Sequence, residues 1–313
     1  MGPFCVIVNY RTAELTLRSL EALLAALDDL PDARVLIVDN DSRDGSYEVL
    51  CQAVRQRGLA PRVEVVASPK NGGFGYGCNI GIRRNAAAPQ PADYVYILNS
   101  DAFPEPGAVR ELVSFMEANP RAGFAASCVI DRHGKLRHPA RRFPTLFSEF
   151  DRALRWGVVT RLLGRWQTQL PPSDQPIRAD WVGGVSMLLR KRALDEIGSF
   201  DEGYFLYFEE VDLMFRGAQR GWESWLVPAS KVGHVGSAST KLSDRTRPTP
   251  GYWFEARRRF LRKAYGTRYL LLTNMLWIAG FATWRARRVL QQKADTDPPN
   301  MLTDFIRYGG LRG

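Results

Sequence analysis

Residues 94–104, with the sequence YVYILNSDAFP, predict a buried strand that is followed directly by a carboxylate, Asp101. The apolar run YVYIL lacks the spacing of an amphipathic helix, and such a run is typical of a strand buried on both faces of a parallel sheet. Pro104 and Pro106 prevent the strand from continuing. Asp101 is thus predicted at the carboxyl end of a central strand, where open α/β sheets bind ligands. The alternative for a lone aspartate is an Asx turn or a helix N-cap.

The chain before this stretch alternates strands with helices. Apolar strands are predicted over residues 4–8, 34–38 and 63–67. A loop and a helix are predicted within residues 11–27, a helix from the turn at residues 44–46 to about residue 57, and a helix over about residues 78–84. This order implies parallel pairing with right-handed crossovers, so the predicted fold class is α/β with a mostly parallel central sheet. Asp39 ends the second strand at the same edge as Asp101, although Asp-Asn-Asp-Ser is also good turn chemistry.

A glycine-rich segment, residues 71–79 (NGGFGYGCN), follows the third predicted strand. Glycines allow the backbone to approach a ligand closely and to expose amide groups, and the alternative is a flexible loop. The segment is not the dinucleotide fingerprint, because Cys78 and Ile80 stand where the last glycine of GxGxxG would fall. A Rossmann dehydrogenase is therefore disfavoured.

An acidic cluster opens a predicted helix in the second half of the chain. Glu209, Glu210 and Asp212 follow the aromatic-rich residues 204–208. Acidic residues suit a helix N-terminus because the macrodipole favours negative charge there, which is the alternative to a catalytic role. An apolar wall can raise the pKa of a carboxyl group and make it a general base, and Glu210 lies next to that wall.

Two other segments of the second half give weaker signals. Residues 137–176 are basic and weakly periodic, which predicts an irregular insertion with one helix over residues 146–163. A short strand over residues 225–228 precedes His234, a candidate metal ligand between two glycines. A lone histidine is more often structural, and that alternative stays open.

The composition restricts the partners and the compartment. The net charge of +10 over 313 residues favours an anionic membrane, phosphate-rich substrates or nucleic acid, and no nucleic-acid-binding motif accompanies it. Four scattered cysteines without a CxxC pair predict reduced thiols in the cytoplasm. We expect no signal peptide, because residues 4–8 are too short for its apolar core, and no membrane span, because no apolar run reaches 18 residues.

The last part of the chain alternates aromatic residues with arginines. The rings belong to Trp253, Phe254, Phe260, Tyr265, Trp277, Phe281 and Trp284. This pattern predicts helices that lie on an anionic membrane surface, at the inner face of the cell membrane. The alternative is a helix that closes the core or forms an oligomer interface. The predicted domains are residues 1–240 and residues 241–313.

Ordered motifs give the chain a resemblance to the family 2 glycosyltransferases, in particular to their rhamnosyltransferase-like branch. They are VIVNY, LIVDNDSRDGS, KNGGFGYGCNIGI, YILNSDAFP, WVGGVSMLLRKRAL, GSFDEGYFLYFEEVDL and GHVGSAS. The resemblance covers residues 4–266 and implies a GT-A fold. It also implies transfer of a sugar, with inversion, from a nucleotide-diphosphate sugar to a glycan or a polyprenyl- or lipid-linked acceptor in cell-surface polysaccharide synthesis.

The resemblance implies a donor site that uses a divalent cation, Mg²⁺ or Mn²⁺. Asp39 matches a contact to the nucleotide base or ribose. Asp101 matches the metal-binding end of the family's DxD motif, whose first carboxylate is replaced by Asn99, and His234 matches a position that completes the metal site. Further residues predicted to bind the nucleotide sugar are Asn9, Asn71, Gly73, Asn79, Ser100, Trp181, Gly183 and Gly184.

The resemblance leaves the catalytic base among three residues. Glu210 falls where the family often has an aspartate base, and Glu209 and Asp212 compete with it. Two other functions stay open, a nucleotide-sugar-binding protein without turnover and a nucleotidyltransferase. The latter is expected to have a glycine- and lysine-rich loop after its first strand, where this chain has NYRT at residues 9–12.

Overall fold

The computed structural model describes residues 2–236 and 245–310. The strands are β1 (Phe4–Asn9), β2 (Arg34–Asp39), β3 (Val63–Ala67), β4 (Tyr94–Asn99), β5 (Ala102–Pro104), β6 (Ala122–Asp131), β7 (Leu136–Arg137), β8 (Ala140–Arg141), β9 (Ile177–Ala179), β10 (Trp181–Val182), β11 (Ser186–Arg190) and β12 (Glu223–His234). The helices are α1 (Ala13–Ala26), α2 (Ser46–Gln56), α3 (Phe74–Ala86), α4 (Ala108–Ala118), α5 (Leu146–Leu154), α6 (Gly157–Leu162), α7 (Lys191–Ile197), α8 (Glu209–Ala218), α9 (Gly251–Tyr265), α10 (Thr267–Leu290) and α11 (Met301–Tyr308).

The main sheet has the strand order β3-β2-β1-β4-β11-β6-β12-β5. Its first four strands pair in parallel, β11 runs antiparallel to both of its neighbours, and β12 runs parallel to β6. Order β2-β1-β4 brings the carboxyl ends of three strands to one edge, where ligands of such sheets bind. The predicted α/β class with a mostly parallel sheet is confirmed.

Burial on both faces explains why β1, β2 and β4 read as continuous apolar runs. Ile7 and Ile37 belong to a core with residues of α1 and α4, including Leu20 and Leu112. Val8 projects from the other face of β1, against α3, because successive side chains of a strand alternate.

Several predicted bounds are wrong. The predicted helix over residues 146–163 is two helices, because Arg155 takes a left-handed conformation with φ of 51° between α5 and α6. β12 is much longer than the predicted strand over residues 225–228, since a register shift between Val227 and Lys231 lets pairing with β6 continue. The pairing of β5 with β12 is not predicted at all.

Contacts divide the chain into two compact units. Unit 1 comprises Met1–Ala140, Pro171–Phe205 and Glu209–Thr240, and unit 2 comprises Arg141–Leu170, Leu206–Phe208 and Lys241–Gly313. The predicted boundary between residues 240 and 241 lies outside the described residues, as do the last three residues of the GHVGSAS motif. The division into domains 1–240 and 241–313 therefore stays a prediction.

Unit 2 has a hydrophobic core of its own. Its buried residues are Ala153, Phe254, Trp277, Phe281, Trp284 and Phe305. The rings of Trp277 and Phe305 stack at 3.8 Å between centroids. Most of the rings predicted to face a membrane are thus buried in protein, so that expectation is wrong for Phe254, Phe260 and the three rings of α10. Within the described residues, no helix is long and apolar enough to cross a membrane.

Unit 2 contains a buried ion cluster. Arg257 is only 1% exposed, and it donates from Nε to Glu149 and from Nη1 to Oδ1 of Asn274 (2.8 Å). Burial alone would raise the pKa of Glu149, but Arg152 and Arg257 lower it below its ordinary value. Charges of this kind are stable in a protein interior only when they are paired.

Candidate active site

A buried hydrogen-bond network joins the carboxyl ends of β1 and β2. Asn9 donates from Nδ2 to Oδ1 of Asp39 (2.7 Å) and to Oγ of Ser42 (3.2 Å). Ser42 donates from Oγ to Oδ1 of Asp39 (2.6 Å) and from its backbone N–H to Oδ2 (3.1 Å). The register that pairs Asn9 with Asp39 places the two side chains together. Much of their hydrogen-bonding capacity is used within the protein, and their contacts to a donor stay predictions.

Asn40, directly after β2, connects this edge to the glycine-rich segment. Its Nδ2 donates to Oδ1 of Asn71 (3.1 Å) and to the carbonyl oxygen of Gly73 (3.0 Å). Its own Oδ1 is buried and has no hydrogen-bond partner among residues 2–236 and 245–310. A buried acceptor without a partner costs free energy, so this oxygen is a candidate contact for an N–H or O–H group of a ligand. Sequence reasoning misses Asn40, whose one signal is its place beside Asp39.

The glycines after β3 serve packing as well as the turn. α3 begins at Phe74, so the predicted helix start near Cys78 is wrong. A Cβ at Gly77 would lie 2.6 Å from a methyl carbon of Val8, so α3 can approach β1 this closely only with glycine there. Gly73 has a φ of 91°, and a Cβ would lie 1.9 Å from the carbonyl oxygen of Phe205. This residue is therefore restricted to glycine by both its conformation and its neighbour.

Asp101 and His234 meet beyond the end of β4. Nε2 of His234 lies 3.1 Å from Oδ1 of Asp101. The antiparallel pairing of β12 with β5 brings the histidine there. Asp101 is buried and His234 is half-buried. Oγ of Ser100 lies 3.1 Å from Oγ1 of Thr12 in the turn after β1, so this candidate is also held at the sheet edge.

The pair Asp101–His234 offers two ligands for a divalent cation whose other ligands come from a substrate and from water. Within the part of the chain that the structure describes, no group of three or more His, Cys, Asp or Glu side chains is placed to hold a metal ion. Mg²⁺ keeps several waters and is usually held by one or two carboxylates with substrate phosphates, and Mn²⁺ also accepts carboxylate and water ligands. Two protein ligands therefore suffice when a diphosphate supplies others.

The segment before β11 lies near the start of α3. Gly183 donates its N–H to the carbonyl oxygen of Pro139 (3.0 Å), and a Cβ at Gly184 would lie 3.8 Å from the ring of Phe74. Trp181 is half-buried in β10. Their predicted contacts to the nucleotide sugar stay predictions.

Asn79 has structural partners. Its Nδ2 donates to the carbonyl oxygen of Phe200 (2.9 Å) and to Glu202 (2.9 Å), and its Oδ1 accepts the N–H of Phe200 (3.0 Å). The side chain is 1% exposed. Asn79 therefore holds the turn that precedes α8, and its contact to the donor stays a prediction.

The three carboxylates of α8 differ in their partners. Asp212 is buried, and it accepts from Nε of Arg216 (2.8 Å) and from the hydroxyl of Tyr204 (3.3 Å). By contrast, Oε2 of Glu209 and Oε2 of Glu210 are buried without a hydrogen-bond partner in the described parts of the chain. Asp212 is thus engaged in the fold, whereas each glutamate keeps an oxygen that can take a proton.

The two glutamates also differ in the ease with which they ionise. Burial raises the pKa of Glu210 to about 7. Burial and the charge of Glu210 raise the pKa of Glu209 well above its ordinary value. Glu209 is 4% exposed and Glu210 is more accessible. Ionisation is therefore disfavoured at Glu209, whereas Glu210 can gain or lose a proton near neutral pH.

This fold and site define a glycosyltransferase with the GT-A architecture. Residues 4–195 match the model of glycosyl transferase family 2, and the chain belongs to that family. The resemblance read from the sequence motifs is confirmed, and the nucleotidyltransferase alternative is not retained.

Two curated relatives and one solved structure are similar to the chain. N-Acetylglucosaminyl-diphospho-decaprenol L-rhamnosyltransferase of Mycobacterium tuberculosis is 31% identical over 239 residues, which cover 71% of this chain and 73% of that protein. Rhamnosyltransferase WbbL of Escherichia coli is 31% identical over 170 residues, 52% of this chain and 60% of WbbL. Mannosyltransferase PcManGT from Pyrobaculum calidifontis, in complex with GDP-Man and Mn²⁺, has a TM-score of 0.59 at 14% identity, over 94% of this chain and 76% of that chain. This last likeness is one of fold.

Proposed function

We propose that this glycosyltransferase moves L-rhamnose, with inversion, from a nucleotide-diphosphate sugar to a polyprenyl-diphosphate-linked glycan in cell-surface polysaccharide synthesis. The observation that carries the proposal is the accessible glutamate of α8, because Glu210 keeps a buried oxygen without a partner and has a pKa of about 7. The relatives named for rhamnosyl transfer support the sugar, and the mycobacterial relative's name supports the acceptor.

Glu210 acts as the general base. A base works best when its pKa lies near the working pH, because it is then ionised yet still a strong proton acceptor. Its carboxylate takes the proton from the acceptor hydroxyl as that oxygen attacks the anomeric carbon from the face opposite the leaving group. Burial and the charge of Glu210 raise the pKa of Glu209, which disfavours a second negative charge beside the base. Asp212 accepts from Nε of Arg216, and Nη2 of Arg216 donates to the carbonyl oxygen of Ser199 (2.7 Å), which ties α8 to the turn after α7.

Asp101 and His234, whose Oδ1 and Nε2 lie 3.1 Å apart, would hold the divalent cation. A cation held there would supply neutralisation of the charge on the diphosphate leaving group. Asp39, Asn40 and Asn71 orient the nucleotide at the adjacent edge, and Asn9 keeps Asp39 in place. Ser100, Gly73, Trp181, Gly183 and Gly184 complete the donor site.

Unit 2 attaches the enzyme to an anionic membrane surface at the inner face of the cell membrane. It carries 21 Lys and Arg against 7 Asp and Glu, whereas unit 1 carries 22 against 26. Exposed apolar side chains accompany this charge, such as Leu162 (76% exposed) in α6 and Met275 (56%) in α10. Basic and apolar groups together favour binding to the surface of anionic bilayers. The membrane-facing groups differ from the rings named by the sequence pattern.

A transfer assay tests the catalytic part of the proposal. Purified protein is incubated with Mg²⁺ or Mn²⁺, a panel of nucleotide-diphosphate sugars and a polyprenyl-diphosphate-linked N-acetylglucosamine. We expect the rhamnose donor to give product and Glu210→Gln to reduce its formation by roughly a hundredfold or more. If only another sugar is transferred, the proposed rhamnose donor is wrong. If Glu210→Gln keeps full activity, Glu210 is not the base.

Vesicle flotation tests the membrane part separately. The full chain is expected to float with anionic vesicles at low salt and to be released at high salt, because salt screens surface charge. Leu271 (40% exposed) lies one turn before Met275 on α10, and a variant with Leu271→Ser and Met275→Ser should float less. Equal binding to neutral vesicles, or no flotation at low salt, contradicts an electrostatic attachment.

A further inference from the structure

The turn after β1, which belongs to unit 1, holds an arginine in a fixed place. Arg11 has a φ of 56°, a left-handed conformation that few residues other than glycine adopt. Its backbone N–H donates to Oγ of Ser42 (3.0 Å), and its Nε donates to the carbonyl oxygen of the same serine (3.0 Å). Ser42 is itself buried and bound to Asp39. Backbone and side chain of Arg11 are therefore both attached to the loop after β2.

The guanidinium group of Arg11 still has unused donors. The side chain is exposed, and its guanidinium carbon lies 5.2 Å from the centre of the Tyr10 ring. In the parts of the chain that the structure describes, neither Nη1 nor Nη2 has a hydrogen-bond partner, and no carboxylate forms an ion pair with Arg11. The hydrogen bond from Ser46 lowers the pKa of Asp44, and the nearby charge of Arg11 adds to this lowering. An arginine anchored through Nε thus presents two free nitrogens in a planar fork, which matches the oxygens of a phosphate group.

The position of this turn along the sheet edge indicates which phosphate it can meet. β1 lies between β2 and β4, so the turn lies between Asp39 on one side and Asp101 on the other. Thr12, the next residue, reaches the β4 side, where its Oγ1 lies 3.1 Å from Oγ of Ser100. A nucleotide that extends from the end of β2 to Asp101 must cross the turn that carries Arg11. The group that joins the nucleoside to the second phosphate is the first phosphate.

We infer that Arg11 binds the first phosphate of the nucleotide-diphosphate donor, with Nη1 and Nη2 as paired donors. This inference rests on the proposed function, which puts a nucleotide at this edge of the sheet. The contact adds a fixed positive charge to the donor site, on the side away from Asp101. Each residue that carries the argument belongs to unit 1.

The experiment measures binding of nucleotides to the full-length protein by calorimetry in the presence of EDTA. UDP, GDP, CDP, ADP and dTDP are compared, and the tightest is followed by its monophosphate and its nucleoside. We expect Arg11→Gln to weaken both the diphosphate and the monophosphate roughly tenfold or more, because a charged hydrogen-bonded contact is lost. Binding of the nucleoside should be unchanged. Arg11→Lys should recover only part of the loss, because lysine keeps the charge without the fork.

Arg43 provides a matched control at the same edge. It also has a left-handed conformation, with a φ of 54°, but its Nε is paired with Oδ1 of Asp41 (2.9 Å). Arg43→Gln removes the same charge from the next loop, so it measures general attraction of the anionic ligand. We expect it to change the three affinities less than twofold.

The outcomes separate the inference from the proposed function. An equal loss for the nucleoside means that Arg11 only holds the turn, and a loss confined to the diphosphate moves the contact to the second phosphate; either result overturns the inference. An equal effect of Arg43→Gln also overturns it. If the wild-type protein binds none of the five diphosphates, the proposed function fails as well. If it binds them and Arg11→Gln binds all three ligands equally well, only the inference fails.

Discussion

Replacing the proposed base should make the protein more stable, and the gain should depend on pH. The pKa of Glu210 is raised from 4.5 to about 7, so the folded state binds more protons than the unfolded state between these values. The ionisation of Glu210 therefore costs no free energy of unfolding below its pKa in the unfolded state. This cost develops as the pH rises from that value through the pKa in the folded state. The cost of the buried charge approaches about 3 kcal/mol above pH 8, from roughly 1.4 kcal/mol per pKa unit. Glu210→Gln keeps the shape of the side chain and removes the charge.

Urea unfolding of both proteins at pH 5 and pH 8.5 measures the effect. We expect Glu210→Gln to exceed wild type by about 3 kcal/mol at the higher pH and by about 1 kcal/mol or less at the lower. The exposed Glu117 at the end of α4 provides a control, since Glu117→Gln should change stability little at either pH. Equal stability of wild type and Glu210→Gln at pH 8.5 would refute the reasoning, because the carboxylate would then not be ionised in a buried place.

Three further predictions follow from contacts described above. Asp101→Asn should weaken donor binding roughly tenfold or more when Mn²⁺ is present, because a charged contact to the ion is lost, and should change it little without the ion. Calorimetry measures the donor affinity under both conditions, and equal losses would contradict a role in metal binding. Asn40→Ala should weaken donor binding by about 1 kcal/mol or more, whereas Asn119→Ala, at the end of α4, should leave the donor affinity unchanged in the same titration. Arg257→Met should destabilise unit 2 by roughly 3–5 kcal/mol, because Glu149 loses a buried partner, and adding Glu149→Leu should recover much of this in urea unfolding; no loss in the single variant would mean that the pair is not buried as described.

The N-terminal half of the fold is predictable because its strands are apolar runs separated by helices. Buried parallel strands need no alternation, so the run YVYIL and its neighbours carry the signal alone. β12 is different, since Pro228, Ser230 and Lys231 interrupt its pattern at the register shift. β5 is only three residues long and depends on β12 for its pairing. Long-range pairing of this kind leaves little trace in local sequence.

The candidate site is predictable in its residues more than in their roles. The carboxylates after β2 and β4 and at the start of α8 are visible as polar clusters, but their hydrogen bonds are not. The spacing of Asp212 and Arg216 is that of an i, i+4 pair on a helix, and it could have removed Asp212 from the candidates for the base. The aromatic residues of α10 indicate contact with an apolar surface, but their spacing does not distinguish lipid from protein. For Trp277 the surface is protein, because its ring stacks on Phe305, which lies far along the chain.

The close approach of α3 to β1 has a consequence for redesign of donor specificity. Gly77 permits this approach because it has no side chain, and any side chain there would push the helix away from Val8. The turn at Gly73 is continuous with that helix, so the displacement would also strain the hydrogen bonds from Asn40 to Asn71 and Gly73. A position without chemistry of its own thus helps to hold together the edge that we propose for nucleotide binding. Libraries that vary the polar residues of this edge should keep it constant.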